Sequence, residues 1–289
     1  MNNSTNNRKP NRNKVLGSLL GFAIGDAMGA TTEFMTQREI YHKYGEVNDI
    51  IGGGWLNLKA GEVTDDTQMM TIVAKARMEN TTGGAFTQAC CDGFTEWLKG
   101  EPKDVGNTCR TAIWQGQGKT PDEWMRLSME RQRAKQSLDL GNGAVMRCLF
   151  LALNDEPSLA VHQGRLTHNN HISDRYIRDY CYAVYRALYF PTLWAGNDGK
   201  PKLMTPTGHV ENSVKNAIYW SFNARNFQEA IIRPVNHGGD ADTIAALTGG
   251  IAGAHFGKDH IPQRWIEELD QNVVKDMENM ANWVVDRLR

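Results

Sequence analysis

Apolar residues recur at helical spacing along most of this chain. Near the start, the spacing of an α-helix joins Leu16, Leu20, Ala23, Ile24 and Ala27. Near the end, it joins Ile266, Leu269, Val273, Met277, Met280, Val284 and Leu288. The same period predicts helices over residues 66–80, 84–99, 121–136, 142–154, 173–190, 209–223 and 262–287. Because few segments alternate with the period of a β-strand, we expect an all-α fold.

Glycines at every fourth position mark two helices, one near each end of the chain. They are Gly17, Gly21, Gly25 and Gly29 in the first helix, and Gly249, Gly253 and Gly257 in the second. A glycine inside a helix costs about 1 kcal/mol relative to alanine, so two such series are explained best by a packing role. A row of glycines lets another backbone come close. We therefore predict that these two helices pack directly against each other.

Three segments interrupt the helical pattern. Residues 1–13 are polar and rich in asparagine, and we interpret them as a flexible N-terminal arm, either a free tail or a segment that orders on a partner. Residues 45–62 are rich in glycine and predict an irregular segment, and residues 191–207 predict a surface loop. No linker divides the remainder, so we expect residues 14–289 to form a single compact domain.

The composition of the chain argues against several functional classes. The chain has 289 residues, a formal net charge of -1 and a mean hydropathy of -0.51. This charge provides no field to attract nucleic acid or an acidic membrane, and no apolar run has the length of a membrane span. The five cysteines are odd in number and lack CxxC spacing, which indicates reduced thiols in a cytoplasmic protein, although the sequence leaves a catalytic thiol open. A monomer is the default expectation.

Two short acidic clusters carry the candidate chemistry. They are Thr64-Asp65-Asp66-Thr67 and Gly239-Asp240-Ala241-Asp242-Thr243. Each precedes an apolar helical run, so helix capping is the alternative explanation for either cluster alone. Capping needs only one side chain, however, and each cluster has two acids and threonine. If the glycine-rich helices bring the clusters together, the all-oxygen set suits two Mg²⁺ or Mn²⁺ ions rather than Zn²⁺.

Four motifs together resemble the ADP-ribosylglycohydrolase family. They are the glycine helix with Asp26 and the following Glu33-Phe34, the cluster Thr64–Thr67, the segment Gly141-Asn142-Gly143 with Arg147, and the segment Gly238–Thr243. Their order and spacing match the family from Val15 onward. The resemblance implies an all-α fold with a binuclear Mg²⁺ or Mn²⁺ centre. By position, the implied metal ligands are Thr64, Asp65, Asp66, Asp240, Asp242 and Thr243.

The resemblance also implies the substrate site. Glu33 matches a carboxylate that meets the metals from a mobile loop, and Glu33, Asp65, Asp66 and Asp139 form the implied catalytic set. Residues matched to substrate binding are Asn142, Gly143, His168, Gly238 and Gly239. His168 has an alternative reading as an ordinary, partly exposed histidine. Asp139 matches an acid near the departing group, where a carboxylate suits a guanidinium, or else it is a solvated loop acid.

Two other motif residues allow both a supporting and a direct role. Asp26 lies on the glycine helix, and we favour a role in which it hydrogen-bonds the metal ligands over one in helix packing alone. Arg147 is either a partner for a substrate phosphate or one half of a structural ion pair, which is the more usual role of a helical arginine.

The reaction implied is hydrolysis of the N-glycosidic bond between ADP-ribose and a protein side chain, through an oxocarbenium-like state. Asp65 or Asp66 is the first candidate to accept the proton of the attacking water. Arginine is the first choice of linkage, from Asp139 and a closer likeness to bacterial members, and serine-linked or acetyl-linked ADP-ribose stays open. The alternatives are a binding or immunity module that blocks an ADP-ribosyltransferase toxin, with or without hydrolysis, a Mg²⁺-dependent nucleotide phosphohydrolase, and a purely structural helical protein.

Overall fold

The computed structural model describes residues 11–134, 140–191 and 201–288. Over these residues the fold is all-α, as the sequence predicts, and the only β pairing consists of two isolated bridges. The helices of the first half are α1 Arg12–Gly29, α2 Gln37–Tyr44, α3 Asp65–Glu79, α4 Gly83–Lys99, α5 Asn107–Gly116, α6 Pro121–Ala134 and α7 Leu149–Leu153. Those of the second half are α8 Pro157–Gly164, α9 His171–Tyr189, α10 Val210–Asn223, α11 Phe227–His237, α12 Ala241–Phe256, α13 Gln263–Glu268 and α14 Gln271–Arg287, with a short 3₁₀ helix at Lys258–His260.

The two glycine-rich helices, α1 and α12, form the centre of the fold. All residues of α1 from Val15 to Gly29 are buried, as are those of α12 from Ala241 to Ala254. A Cβ atom added to Gly25 would lie 2.1 Å from the carbonyl oxygen of Ala245, and one added to Gly253 would lie 2.0 Å from that of Gly17. The backbones are therefore in direct contact, which confirms the predicted packing. The helices run antiparallel, so the end of α1 meets the start of α12.

The other helices surround this pair. Helices α9, α10 and α11 pack on α12, while α14 packs on α1 and α3. Helix α4 packs on α3, and α5 and α6 extend this side. The buried apolar residues form one continuous core. No helix in the described part of the chain is long and apolar enough to cross a membrane.

Two predicted helices are wrong in extent. Only Leu149–Leu153 is helical within the predicted 142–154. The preceding residues form turns because the Asn142 amide donates to the Gly208 carbonyl at 3.0 Å, which ties the segment to a distant loop. The predicted helix 262–287 is two helices, since Asp270 caps the start of α14 and donates its own amide to the Gly61 carbonyl at 3.1 Å.

Four short helices were absent from the prediction: α2, α5, α8 and α11. Each has 8 to 11 residues, too few to show a clear apolar period. Capping would have revealed α2, because Thr36 and Glu39 form a capping box. Helix α1 begins at Arg12, capped by Asn11, three residues before the predicted start at Val15.

Of the three predicted irregular segments, the structure describes one completely and two in part. Residues 45–62 contain no helix, as expected. Residues 201–207 have no regular secondary structure and are largely exposed. The predicted surface loop also includes residues 192–200, which lie outside the described residues. Residues 1–10 of the predicted arm lie outside them as well, so the boundary between arm and domain stays a prediction.

Candidate active site

The first acidic cluster lies at the start of α3, where Asp26 of α1 holds it in place. The buried carboxylate of Asp26 accepts hydrogen bonds from the Thr64 amide (3.1 Å), the Thr64 hydroxyl (2.8 Å) and the Thr67 amide (3.0 Å). It thereby occupies donors that an isolated helix start would leave free. Asp26 has the supporting position that we favoured from the sequence, and it fixes the direction in which Asp65 and Asp66 leave α3.

The second acidic cluster begins with two glycines in the left-handed region. Gly238 and Gly239 have φ values of 74° and 67°. A Cβ atom on Gly238 would lie 2.1 Å from the Met35 carbonyl oxygen, and one on Gly239 would lie 1.9 Å from that of Pro206. The close approach expected at these glycines is therefore made by the chain itself. Neither glycine is among the described residues that line the cleft, and their predicted contact with substrate stays untested.

Backbone hydrogen bonds join the Glu33 segment to the second cluster. The Phe34 amide donates to the Gly239 carbonyl at 2.7 Å, and the Gly239 amide donates to the Met35 carbonyl at 2.9 Å. Phe34 has a positive φ of 61°, which is uncommon for a residue other than glycine and is held here by these bonds. The turn directs Glu33 into the protein, where only 6% of the residue is exposed.

The fold brings the two clusters and Glu33 together. Carboxylate oxygens of Glu33, Asp240 and Asp242 all lie within 4.8 Å of one another. The clusters touch where the Thr243 hydroxyl donates to Asp66 Oδ2 at 3.1 Å. The other oxygen of Asp66, Oδ1, is buried and has no hydrogen-bond partner. An unpartnered buried carboxylate oxygen beside three converging acids is what a divalent cation would satisfy.

The electrostatics of these acids also fit a cation. Burial raises the pKa of Glu33 and that of Asp65 to about 8, and the pKa of Asp240 to about 6. Burial raises the pKa values of Asp66 and Asp242 well above the ordinary range. After burial, repulsion by neighbouring carboxylates raises each pKa further. A bound cation would remove this repulsion and favour the charged forms.

The acids open onto a cleft with a volume of about 250 Å³. Most sequence-predicted site residues line it: Glu33, Asp65, Asp66, Asn142, Gly143, His168, Asp240, Asp242 and Thr243. Thr64 lies behind this lining, in contact with Asp26 and Asp66. Asn142 connects the substrate and metal sets directly, because its side-chain amide donates to Asp240 Oδ2 at 2.7 Å. Asp139 lies outside the described residues.

His168 belongs to the wall of the cleft. It is 1% exposed, so its reading as an ordinary, partly exposed histidine is wrong. The Thr167 hydroxyl lies 2.8 Å from His168 Nδ1. A Cβ atom on Gly143 would lie 3.1 Å from His168 Cε1 and 2.6 Å from Cys109 Sγ. A side chain at position 143 would therefore clash with Cys109 and press on the His168 ring.

Arg147 has neither of the two roles considered from the sequence. Arg147 is fully buried and is not among the described residues that line the cleft, and the acceptors of its hydrogen bonds are neutral rather than acidic. The guanidinium donates to Gln163 Oε1 (2.7 Å), the Gly143 carbonyl (2.8 Å) and Thr167 Oγ1 (2.9 Å), and it lies over the ring of Phe94. Arg147 thus connects the Gly143 loop to the segment that presents His168.

Sequence reasoning missed a third part of the cleft, formed by Asp104 and the start of α5. Gly106, Asn107, Thr108 and Cys109 line the cleft with Asp104. The cap residue of α5, Gly106, provides no side-chain cap bond, and its backbone hydrogen-bonds the Asp65 carboxylate. The positive end of the helix therefore faces the cleft. Burial raises the pKa of Asp104, and its charge raises those of Glu33 and Asp65. An asparagine and a threonine after Asp-Val-Gly were the available indication of a helix start.

Comparison with known proteins agrees with this geometry. The model of the ADP-ribosylglycohydrolase family matches residues 7–189 and 174–289. The chain is 34% identical to ADP-ribosyl-[dinitrogen reductase] glycohydrolase of Rhodospirillum rubrum, over 93% of this chain and 94% of that protein. It is 28% identical to ADP-ribosylarginine hydrolase Tri1 of Pseudomonas putida (strain GB-1), over 95% of this chain and 78% of that protein.

The fold comparison gives the same result. A solved structure described as an ADP-ribosylglycohydrolase-related protein complex superposes with a TM-score of 0.73 at 26% identity, over 96% of this chain and 98% of that chain. The all-α architecture, the acidic centre and these matches define a class of hydrolase that acts on ADP-ribosyl groups. The chain belongs to the ADP-ribosylglycohydrolase family.

Proposed function

We propose that this protein hydrolyses the N-glycosidic bond between ADP-ribose and an arginine side chain, with two Mg²⁺ or Mn²⁺ ions in the acidic centre. The observation that carries this proposal is the single cleft shared by the five acids, the Asn142–Gly143 loop, His168 and the start of α5. Such a cleft offers carboxylates to a cation and ribose, and backbone amides to a diphosphate. No membrane or nucleic-acid partner is part of the proposal.

The cation ligands follow from contacts within the centre. Glu33, Asp240 and Asp242 offer converging oxygens, and Asp66 offers its unpartnered Oδ1. Thr64, Asp65 and Thr243 are the remaining members of the proposed set. Both threonines contact Asp66 Oδ2, and Asp65 lines the cleft. When bound, the cations supply positive charge that orders ribose hydroxyls and makes a nearby water more acidic.

Asp65 is the residue to which we assign acceptance of the water proton. It lines the cleft, while Asp66 Oδ2 is engaged by two threonine hydroxyls. A backbone hydrogen bond from Gly106 contacts the Asp65 carboxylate and opposes the rise in its pKa. Burial, and after it repulsion by neighbouring acids, raises that pKa to about 8 in the metal-free protein. Bound cations would lower it, so that Asp65 is charged and able to accept the water proton.

The choice of arginine rests on charge and on the relatives. Asp104 places a half-buried carboxylate in the cleft, and a substrate guanidinium would pair with it and favour its charged form. The two Tri1 relatives are named as ADP-ribosylarginine hydrolases. Asp139 keeps its proposed place near the departing group on the strength of the sequence resemblance alone.

The diphosphate would lie at the start of α5. The chain has no glycine-rich P-loop, so first-turn amides and the helix dipole are the available means of binding phosphate. The α5 residues Asn107 and Thr108 lie in the cleft lining together with Asn142. We assign His168, in the wall of the cleft, to contact with the nucleotide portion.

The experiment compares an arginine-ADP-ribosylated protein with a serine-ADP-ribosylated peptide, each in Mg²⁺, Mn²⁺ or EDTA. Mass spectrometry follows release of intact ADP-ribose. We expect metal-dependent release from arginine, loss of activity in Asp242→Asn, and unchanged activity in Glu278→Gln, which replaces an exposed acid on α14. Binding of ADP-ribose without release from either substrate would contradict hydrolysis and favour a binding module.

Asp104→Asn tests the linkage separately. If Asp104 pairs with the guanidinium, this variant loses activity on the arginine substrate, mainly through a higher KM, while its binding of free ADP-ribose is retained. An equal loss of arginine-substrate activity and ADP-ribose affinity would show that Asp104 serves the sugar half of the site.

A further inference from the structure

We propose that Trp55 is a positioning residue that directs the Glu33 carboxylate toward Asp240 and Asp242. This inference rests on the cation centre of the proposed function and adds a residue that no motif indicated. The indole Nε1–H of Trp55 donates to Glu33 Oε2 at 2.5 Å, a short hydrogen bond to a buried side chain. A carboxylate held at one oxygen leaves the other available to a cation.

The turn that carries Trp55 is docked onto the end of α1. Gly53 and Leu58 exchange two backbone hydrogen bonds of 2.8 and 2.9 Å, which close the turn. A Cβ atom on Gly54 would lie 2.1 Å from the Ala30 carbonyl oxygen. The Thr31 hydroxyl donates to the Gly52 carbonyl at 3.0 Å. The turn therefore meets the chain just before Glu33 and places the indole beside that carboxylate.

Core packing does not account for this tryptophan. Trp55 is 54% exposed, whereas Glu33 is 6% exposed. Its ring contacts the exposed ring of Phe34 at a tilt of 48°, with the centroids 5.4 Å apart. The polar edge of the ring is directed inward and its apolar surface stays partly in water, an arrangement that hydrophobic burial alone does not favour.

Glu33 needs such a donor because its neighbours repel it. The charges of Asp104, Asp240 and Asp65 all act against the charged form of its carboxylate. A glutamate has several rotamers, and repulsion favours those that turn the carboxylate away from other acids. The hydrogen bond from Trp55 stabilises the inward rotamer. The centre is thereby prepared before a cation arrives.

The test measures Mn²⁺ binding to the full chain by electron paramagnetic resonance of free Mn²⁺, after metal removal with EDTA and dialysis. Trp55→Phe keeps an aromatic ring and removes the N–H donor. We expect it to weaken Mn²⁺ binding by about tenfold, as for other partners that orient metal ligands. Trp114→Phe makes the same change at a tryptophan that is 70% exposed on α5, and it should bind within about twofold of wild type.

A double-mutant cycle separates positioning from a general structural effect. If Trp55 acts through Glu33, adding Trp55→Phe to Glu33→Gln weakens Mn²⁺ binding by much less than adding it to wild type. Wild-type affinity in Trp55→Phe, or an equal loss in both backgrounds, would overturn the inference. Absence of Mn²⁺ binding by the wild type would overturn it together with the cation centre. Mn²⁺ binding without release of ADP-ribose would instead contradict only the proposed hydrolysis.

Discussion

Replacing Gly25 with alanine tests the helix contact that assembles the centre. Gly25 precedes Asp26 on α1, and its Cα faces the backbone of α12. An added Cβ would lie 2.1 Å from the Ala245 oxygen, 2.4 Å from its carbonyl carbon and 2.7 Å from the Ala246 nitrogen. These are backbone atoms of a buried helix, so they cannot move aside as the end of a flexible side chain would.

The magnitude follows from two opposing effects. Overpacking a close contact costs about 3 kcal/mol when the neighbour is rigid. Alanine regains about 1 kcal/mol of helix propensity. The net loss of about 2 kcal/mol corresponds to a fall in Tm of about 4–8 °C for a chain of this size. Displacement of α1 also moves Asp26, which holds Thr64, so Mn²⁺ affinity should fall with stability.

The assay is thermal unfolding in EDTA, followed by circular dichroism, with Gly84→Ala as the matched control. Gly84 lies in α4 with nothing within 4 Å of its added Cβ, so this variant gains propensity without a clash. We expect its Tm to equal or exceed that of the wild type. A Gly25→Ala protein that melts with the wild type would refute the close-packing explanation of the glycine series.

Three further predictions follow from the buried charges. The folded pKa values of Glu33 and Asp65 are raised to about 8, so the metal-free native state holds protons that the unfolded chain releases near pH 4. The free energy of unfolding should therefore fall as pH rises from about 4 to 8. Denaturant titrations in EDTA should show this fall, and saturating Mn²⁺ should reduce it. Asp242→Asn should raise the Tm in EDTA by a few degrees, because the amide avoids the cost of burying an acid and the repulsion by its neighbours. It should also abolish the stabilisation by Mn²⁺, and an unchanged response to Mn²⁺ in thermal melts would remove Asp242 from the centre. Arg147→Met should lower the free energy of unfolding by about 3 kcal/mol, because buried acceptors on Gln163 and Thr167 lose their donor. A Tm equal to that of the wild type would contradict the structural role of Arg147.

The central helix pair was predictable because its cause is local in sequence. Glycines repeated every fourth residue have a direct steric meaning, and the structure places them against a facing backbone. The acidic clusters were predictable for a similar reason, since each gathers its carboxylates within a few residues. By contrast, the apolar residues of 142–154 are spaced as in a helix because they are buried. The backbone there forms turns, since the segment makes hydrogen bonds to residue 208 and within itself through Arg147.

Other site features depend on contacts between distant residues. Asp104 precedes a ten-residue helix that has little apolar periodicity, and its place in the cleft arises only when α5 packs beside α4. Trp55 lies in a segment predicted to be irregular, and its bond to Glu33 depends on docking against the end of α1. The burial of His168 likewise depends on contact with Gly143, which lies more than twenty residues earlier in the sequence, and on its neighbour Thr167.

The most direct measurement is the mass of an arginine-ADP-ribosylated protein before and after treatment with the metal-loaded enzyme, together with the mass of the released molecule. We predict that the protein returns to its unmodified mass and that intact ADP-ribose appears, in Mn²⁺ or Mg²⁺ and not in EDTA. Release of AMP with a phosphoribosyl group left on the protein, or an unchanged protein mass, would contradict hydrolysis of the N-glycosidic bond.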